Sequence, residues 1–326
     1  MIPLRSLGLA AVLLASFAQV ATVTGAAAAD KPVVAITAIV EHPSLNAIRE
    51  GVKAGLKDKG YAEGEAITVL YESAQGSPAT AAQIAQKFVG ENPAVIVPIT
   101  TPSSQAVAAA TRDIPVVFAA VTDPLGAQLV KTLDKPGGNI TGVSDFPPAA
   151  GQLDLIKEVL PKAKVVGVVY NSGEVNSLSV IEALRKLAGE RGLEILPSPA
   201  TKSSDVGAAA QSLVGKADAI YIPNDNLVVS ALESVLQVGF DSRLPVFASD
   251  PDSVGRGAVA ALGLDQFEIG RQAGHVAARV LKGEKPGDIP VENSKGVSLV
   301  INAKAAEKMG APLPQAVLAR AKDVAK

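Results

Sequence analysis

From Lys31 onward, short apolar runs alternate with longer stretches in which apolar positions recur every three or four residues. VVAITAIV (33–40), AITVLYESA (66–74), AVIVPIT (94–100) and IPVVFAAV (114–121) read as strands. SLNAIREGVKAGLKDKGY (44–61), PATAAQIAQKFVGEN (78–92) and SSQAVAAATRD (103–113) read as helices between them. Strands joined through helices run parallel and carry helices on both sheet faces. The predicted class is α/β, with Rossmann-like, parallel-rich sheets.

The same order then recurs. KVVGVVYN (164–171) is strand-like, SLSVIEALRKLAGERGL (177–193) is helical, and LPVFASD (244–250) is strand-like again. QKFVGENPAVIVPIT matches QSLVGKADAIYIPND at an offset of 124–125 residues, and Gly60 and Gly192 close their helices 132 residues apart. Such a repeat predicts two similar lobes rather than one continuous sheet. The glycine-rich stretch KPGGNITGVSD (135–145) marks the change of lobe, and the helical segment 267–283 has no counterpart in the repeat. The division expected is 31–140 plus 263–290 for the first lobe and 141–262 plus 291–326 for the second. Several crossings between lobes would make a hinge.

The first 29 residues follow a different pattern: Arg5, an apolar run, then small residues up to Ala29. This is the pattern of a secretory signal peptide, so a soluble periplasmic protein is expected. Without its only charged residue, Arg5, the formal net charge moves from -2 to -3. A mildly acidic chain with 3% aromatic residues argues against nucleic acid as a partner. The absence of cysteine excludes disulfides, thiolate catalysis and a lipid anchor on cysteine.

In parallel α/β sheets, ligands collect beyond the carboxyl ends of strands, and the polar residues of this chain gather there. Glu41 and His42 follow the first strand; Thr100, Thr101 and Ser103 follow another; Thr122 and Asp123 close a third. Ser144 and Asp145 follow the glycine-rich crossing, Tyr170 and Asn171 follow VVGVV, Asn224 and Asp225 follow YIP, and Asp250 follows VFAS. Hydroxyls at a helix start suit a carboxylate, and aspartates opposite suit an ammonium, which together describe a receptor for a zwitterion such as an amino acid. Tyr71, Tyr170, Phe118 and Phe146 are candidate ring contacts. Two histidines, with no GxSxG, HExxH or P-loop motif, support neither catalysis nor a metal centre; no cofactor is expected.

HPSLNAIREGVKAGLKDKGY, ESAQGSPATAAQIAQKFV, VTDPLGAQLVKTLDKPGGNITGVSD, LVGKADAIYIPNDNLVVSALESV and RGAVAALGLDQFEIGRQAGHVAARVLKGEKP together resemble the solute-binding components of ABC transporters, in the tryptophan/tyrosine-type family. The resemblance implies a type I periplasmic binding fold: two lobes closing over a small solute and handing it to a membrane permease, in a monomer. It implies an amino-acid ligand, aromatic by preference, with Glu41, His42, Thr100, Thr101, Ser103, Asp123, Ser144, Tyr170, Asn224, Asp225 and Asp250 around it. Thr101, Ser103 and Ser144 are expected at the carboxylate, and Asp123, Asn224 and Asp250 at the amine. His42 and Pro251 depart from the family pattern and leave an aliphatic ligand open. A periplasmic sensor presenting its solute to a receptor is the alternative role.

Overall fold

The computed structural model describes residues 31–324; the expected signal peptide lies outside the described residues. The strands are β1 (Val33–Ala38), β2 (Thr68–Ser73), β3 (Val95–Ile99), β4 (Val116–Val121), β5 (Ile140–Ser144), β6 (Val165–Tyr170) and β7 (Glu194–Pro199). They continue with β8 (Ala219–Ile222), β9 (Val246–Ala248), β10 (Ala260–Leu264), β11 (Glu292–Asn293), β12 (Val297–Ile301) and β13 (Asp323–Val324). The helices that position the cleft are α1 (Pro43–Asp58), α2 (Pro78–Glu91), α3 (Thr101–Ala110), α4 (Ala149–Val159) and α5 (Val175–Ala188). They are followed by α6 (Val206–Gln211), α7 (Asn226–Ser230), α8 (Leu232–Ser242), α9 (Asp252–Arg256) and α10 (Gln266–Leu281).

Two sheets result. The first has the order β11-β5-β4-β3-β1-β2 and is parallel throughout. The second has the order β13-β12-β10-β9-β8-β6-β7, with only β12 antiparallel to β10. Five strands of each sheet share one winding, β2-β1-β3-β4-β5 and β7-β6-β8-β9-β10, as the repeat predicts. In this winding the connections from the central strand and its neighbour leave on opposite faces. A crevice opens at their carboxyl ends, after β1 and β3 in one lobe and after β6 and β8 in the other.

The first sheet carries an apolar layer on each face, one with α1 and α10 and one with α2 and α3. A single large cluster fills the second lobe. The chain crosses three times: from β5 into α4, from β10 into α10, and from β11 into β12. These crossings differ in detail from the sequence-based division. Pairing with β4 keeps residues 141–144 in the first sheet, pairing with β12 keeps 263 and 264 in the second, and pairing with β5 keeps 292 and 293 in the first. Backbone pairing decides these residues, whereas glycine content only marks where the chain can bend.

Helix α10 leaves the second lobe to lie on α1 of the first. Gly51 and Gly55 of α1 meet Gly270 and Gly274 of α10, and a methyl group on Gly55 or Gly270 would lie 2.1 or 2.0 Å from a backbone oxygen of the facing helix. Only glycine lets the two backbones approach this closely. The contact fixes α1, whose first turns reach the cleft. No helix among the described residues is long and apolar enough to cross a membrane.

Candidate functional site

The carboxyl ends of both sheets enclose a cavity of about 410 Å³, counting its open side. One wall comes from the first lobe: His42, Ser44, Leu45 and Ile48 around the start of α1, Thr100 and Thr101 at the start of α3, and Ala120 and Thr122 at the end of β4. The other wall carries Asn176, Asn224, Asp225, Asn226, Val229 and Asp250, while Asp145 and Gln266 sit on two of the crossings.

At the α3 end, the hydroxyls of Thr100, Thr101 and Ser103 are buried without a hydrogen-bond partner. A buried hydroxyl left unmatched costs free energy, so three in one helical turn mark a place built for an acceptor. The first-turn N–H groups of α3 point the same way and favour negative charge. Thr100 has φ 72° and ψ 166°, a region that only glycine occupies without strain, and Ala120 has φ 57° beside a bulge in the β4–β5 pairing. Both strained residues line the cavity. Among the described residues, no lysine or arginine lines it.

Asp145 lies opposite in character. Its carboxylate accepts from Thr122 Oγ1 at 3.0 Å and Asn224 Nδ2 at 2.9 Å. Burial raises its pKa to about 6 despite those bonds. Asn176 is joined to the same corner, donating from Nδ2 to the Asn224 carbonyl at 2.7 Å and to Glu174 at 3.0 Å. Both partners only accept, which fixes the amide orientation and leaves Asn176 Oδ1 as a buried acceptor without a donor. The corner therefore offers a carboxylate and an amide oxygen to whatever fills the cavity.

Asp225 and Asp250 line the cavity too, yet their oxygens are engaged. Asp225 caps α7 through Val228 N at 2.8 Å and takes Asn171 N at 2.5 Å and Ser177 Oγ at 2.6 Å. Its pKa is raised, first by burial and then by the Glu174 carboxylate. Asp250 accepts from Ser253 N and Oγ and, across the cleft, from Ser44 Oγ at 2.8 Å. A second bond spans the lobes where Ser179 Oγ of α5 donates to Asp123 at 2.9 Å. Beside Ser44, His42 is buried with both ring nitrogens unpartnered, and burial lowers its pKa to about 4. Leu45, Ile48, Ala120 and Val229 supply the apolar surface.

Of the residues expected from the sequence, His42, Thr100, Thr101, Asn224, Asp225 and Asp250 line one cavity, and Ser103 sits in the turn behind it. The structure puts four elsewhere. Exposed Glu41 accepts from the Tyr71 hydroxyl at 3.2 Å. Asp123 faces Ser179 and Gly126 N, Ser144 donates to the Thr122 carbonyl at 3.2 Å, and Tyr170 packs on the second lobe's core. None of the candidate rings lines the cavity: Phe118 is core, Phe146 is exposed, and Tyr71 lies under Arg49 at 4.5 Å. Asn176, Thr122 and Asp145 also line the cavity and are not in the expected set. Thr122 and Asp145 were one position from residues chosen, whereas nothing local singles out Asn176.

Residues 33–325 match the family described as ABC transporter substrate binding protein. The chain belongs to this family. Among its relatives, the "Tyrosine-binding protein" of Clostridioides difficile (strain R20291) is 42% identical over 269 residues, spanning 82% of this chain and 78% of its own. The ABC domain in complex with L-Trp from Streptococcus pneumonia is 35% identical, covers 90% of this substrate binding protein and 100% of its own chain, and superposes with a TM-score of 0.88. The ligand-free, open structure of a substrate binding protein with adhesive properties from Clostridium difficile is 38% identical over 90% of this chain and 99% of its own. Its TM-score is 0.68. The two-lobed, parallel-rich architecture is thus the type I periplasmic binding fold.

Proposed function

We propose that this substrate binding protein captures an aromatic amino acid, tyrosine or tryptophan, between its lobes outside the cytoplasm and delivers it as a monomer to an importer's permease. The observation that carries the reading is the set of buried polar groups without partners around one cavity. The α3 turn, with Thr100, Thr101 and Ser103, receives the ligand carboxylate by hydroxyls and helix N-terminus rather than by a cation. Asp145 and Asn176 Oδ1 receive the ammonium. The named ligands of the relatives support an aromatic side chain over Leu45, Ile48 and Val229.

The conformation reads as the closed one. Two relatives of nearly equal identity superpose very differently, the L-Trp complex at 0.88 and the open ligand-free form at 0.68. Ser44–Asp250 and Ser179–Asp123 then act as clasps between lobes that part about the three crossings. Protein refolded to strip carried ligand, and checked for native circular dichroism, is titrated calorimetrically with Tyr, Trp, Phe, Leu, Ile and Val. One-to-one binding led by Tyr or Trp is expected. Selective binding of an aliphatic amino acid would move the same machinery to another substrate, and silence from all six would refute the amino-acid reading.

A further inference from the structure

His42 presents a requirement that the main-chain groups of an amino acid do not meet. Both of its ring nitrogens are buried and neither has a partner. Burial keeps the ring neutral at ordinary pH, so one nitrogen carries a proton and the other a lone pair. A ligand carboxylate satisfies the N–H but not the lone pair, which takes only a donor. The ammonium is the ligand's one main-chain donor, and its acceptors, Asp145 and Asn176, form a corner tied together through Asn224. His42 lies on the first-lobe wall just ahead of α1, with Ser44, Leu45 and Ile48 following it and the Asp250 carboxylate acting on its ring.

Building on the aromatic reading above, we infer that His42 hydrogen-bonds an O–H or N–H on the ligand's side chain, so that the cleft prefers tyrosine to phenylalanine. The ring's lone pair is matched by the phenol hydroxyl, and phenylalanine leaves it unmatched. Leaving one buried polar group unpaired weakens binding by about tenfold or more.

Calorimetry with Tyr and Phe on the parent, His42→Leu and His42→Gln proteins tests this. The parent is expected to bind Tyr about tenfold or more tightly than Phe. In His42→Leu that ratio falls to about one, because Tyr loses its hydrogen-bond partner and Phe no longer strands a ring nitrogen. His42→Gln, which keeps a donor and an acceptor, retains a preference for Tyr. Equal weakening of both ligands in His42→Leu would put His42 at the main-chain carboxylate and overturn the inference. A parent ratio near one overturns it as well, without touching the aromatic reading, and needs no variant that folds. If the folded parent binds neither ligand nor Trp, the aromatic reading fails and this one with it.

Discussion

Lowering the pH should weaken ligand binding through Asp145. In this closed conformation burial outweighs the bonds from Thr122 and Asn224 and raises its carboxyl to about 6. Ammonium binding requires the carboxylate. Roughly nine in ten Asp145 side chains are protonated at pH 5 and about one in thirty at pH 7.5, so Kd should rise about tenfold between the two. His42, lowered to about 4, stays neutral over this range. Asp225 is also raised, by burial and Glu174, but its oxygens already serve Val228, Asn171 and Ser177. Stability moves in the opposite sense. A carboxyl raised from 3.8 to about 6 stabilises the closed fold fully below the unfolded value and loses that contribution as pH rises through 6. The loss is about 3 kcal/mol. The ammonium offsets it, so the ligand-induced rise in Tm should be larger at pH 7.5 than at pH 5. The assay is calorimetry at both pH values in buffers of differing ionisation enthalpy, which also counts the protons released. Asp145→Asn should bind more weakly and flatten the profile. A Kd unchanged from pH 5 to 7.5 in the parent would refute the ammonium assignment, as would the same slope in Asp145→Asn.

Two further outcomes follow from the cleft. Thr100→Gly should separate stability from binding: it relieves about 1–3 kcal/mol of backbone strain against about 0.5–1 kcal/mol of glycine entropy, raising Tm, while the lost hydroxyl weakens the ligand complex. A lower Tm in thermal unfolding would remove the strain argument. Ser44→Ala and Ser179→Ala each delete one clasp between lobes and should raise Kd by about two- to tenfold with no loss of fold. Small-angle scattering of the ligand-free variants should show a wider particle than the parent, and an unchanged particle with unchanged Kd would make the clasps irrelevant to closure.

How much of this was legible in the sequence depends on what the fold does to neighbouring residues. The alternation of strand and helix and the internal repeat carried the two lobes and their shared winding, because crossover connections admit few alternatives. The strand-end rule found the loops around the cavity but not every side chain that lines it. Along an extended segment successive residues point to opposite sides, so Thr122–Asp123 and Ser144–Asp145 each offered two candidates. At β4 the phase is reset by the bulge at Ala120, whose φ of 57° is a tertiary fact. It brings Thr122 and not Asp123 to the cavity, where Thr122 bonds Asp145. Asn176 was beyond reach for another reason. Its value lies in an oxygen left bare because its nitrogen is committed to Asn224 and Glu174, residues 48 and two positions away.

The loop at Asn224–Asn226 shows why capping and ligand binding are separable only once partners are known. Asp225 caps α7 and ties in Asn171 and Ser177, while Asn226 and Leu227 are held by Glu174. Asn224, next to them, instead reaches Asp145 at the crossing and passes its carbonyl to Asn176. The aspartate that a cap rule selects is therefore the residue whose hydrogen bonds are already used, and it makes the wall rigid. The groups left for a ligand are those whose bonds the fold does not complete: the α3 hydroxyls, Asn176 Oδ1 and the His42 ring. A polar residue type identifies either role equally well. Only the count of unfilled bonds around a shared space tells them apart, and here that count points to one end for an anion, one for a cation, and a buried His42 ring with both nitrogens open.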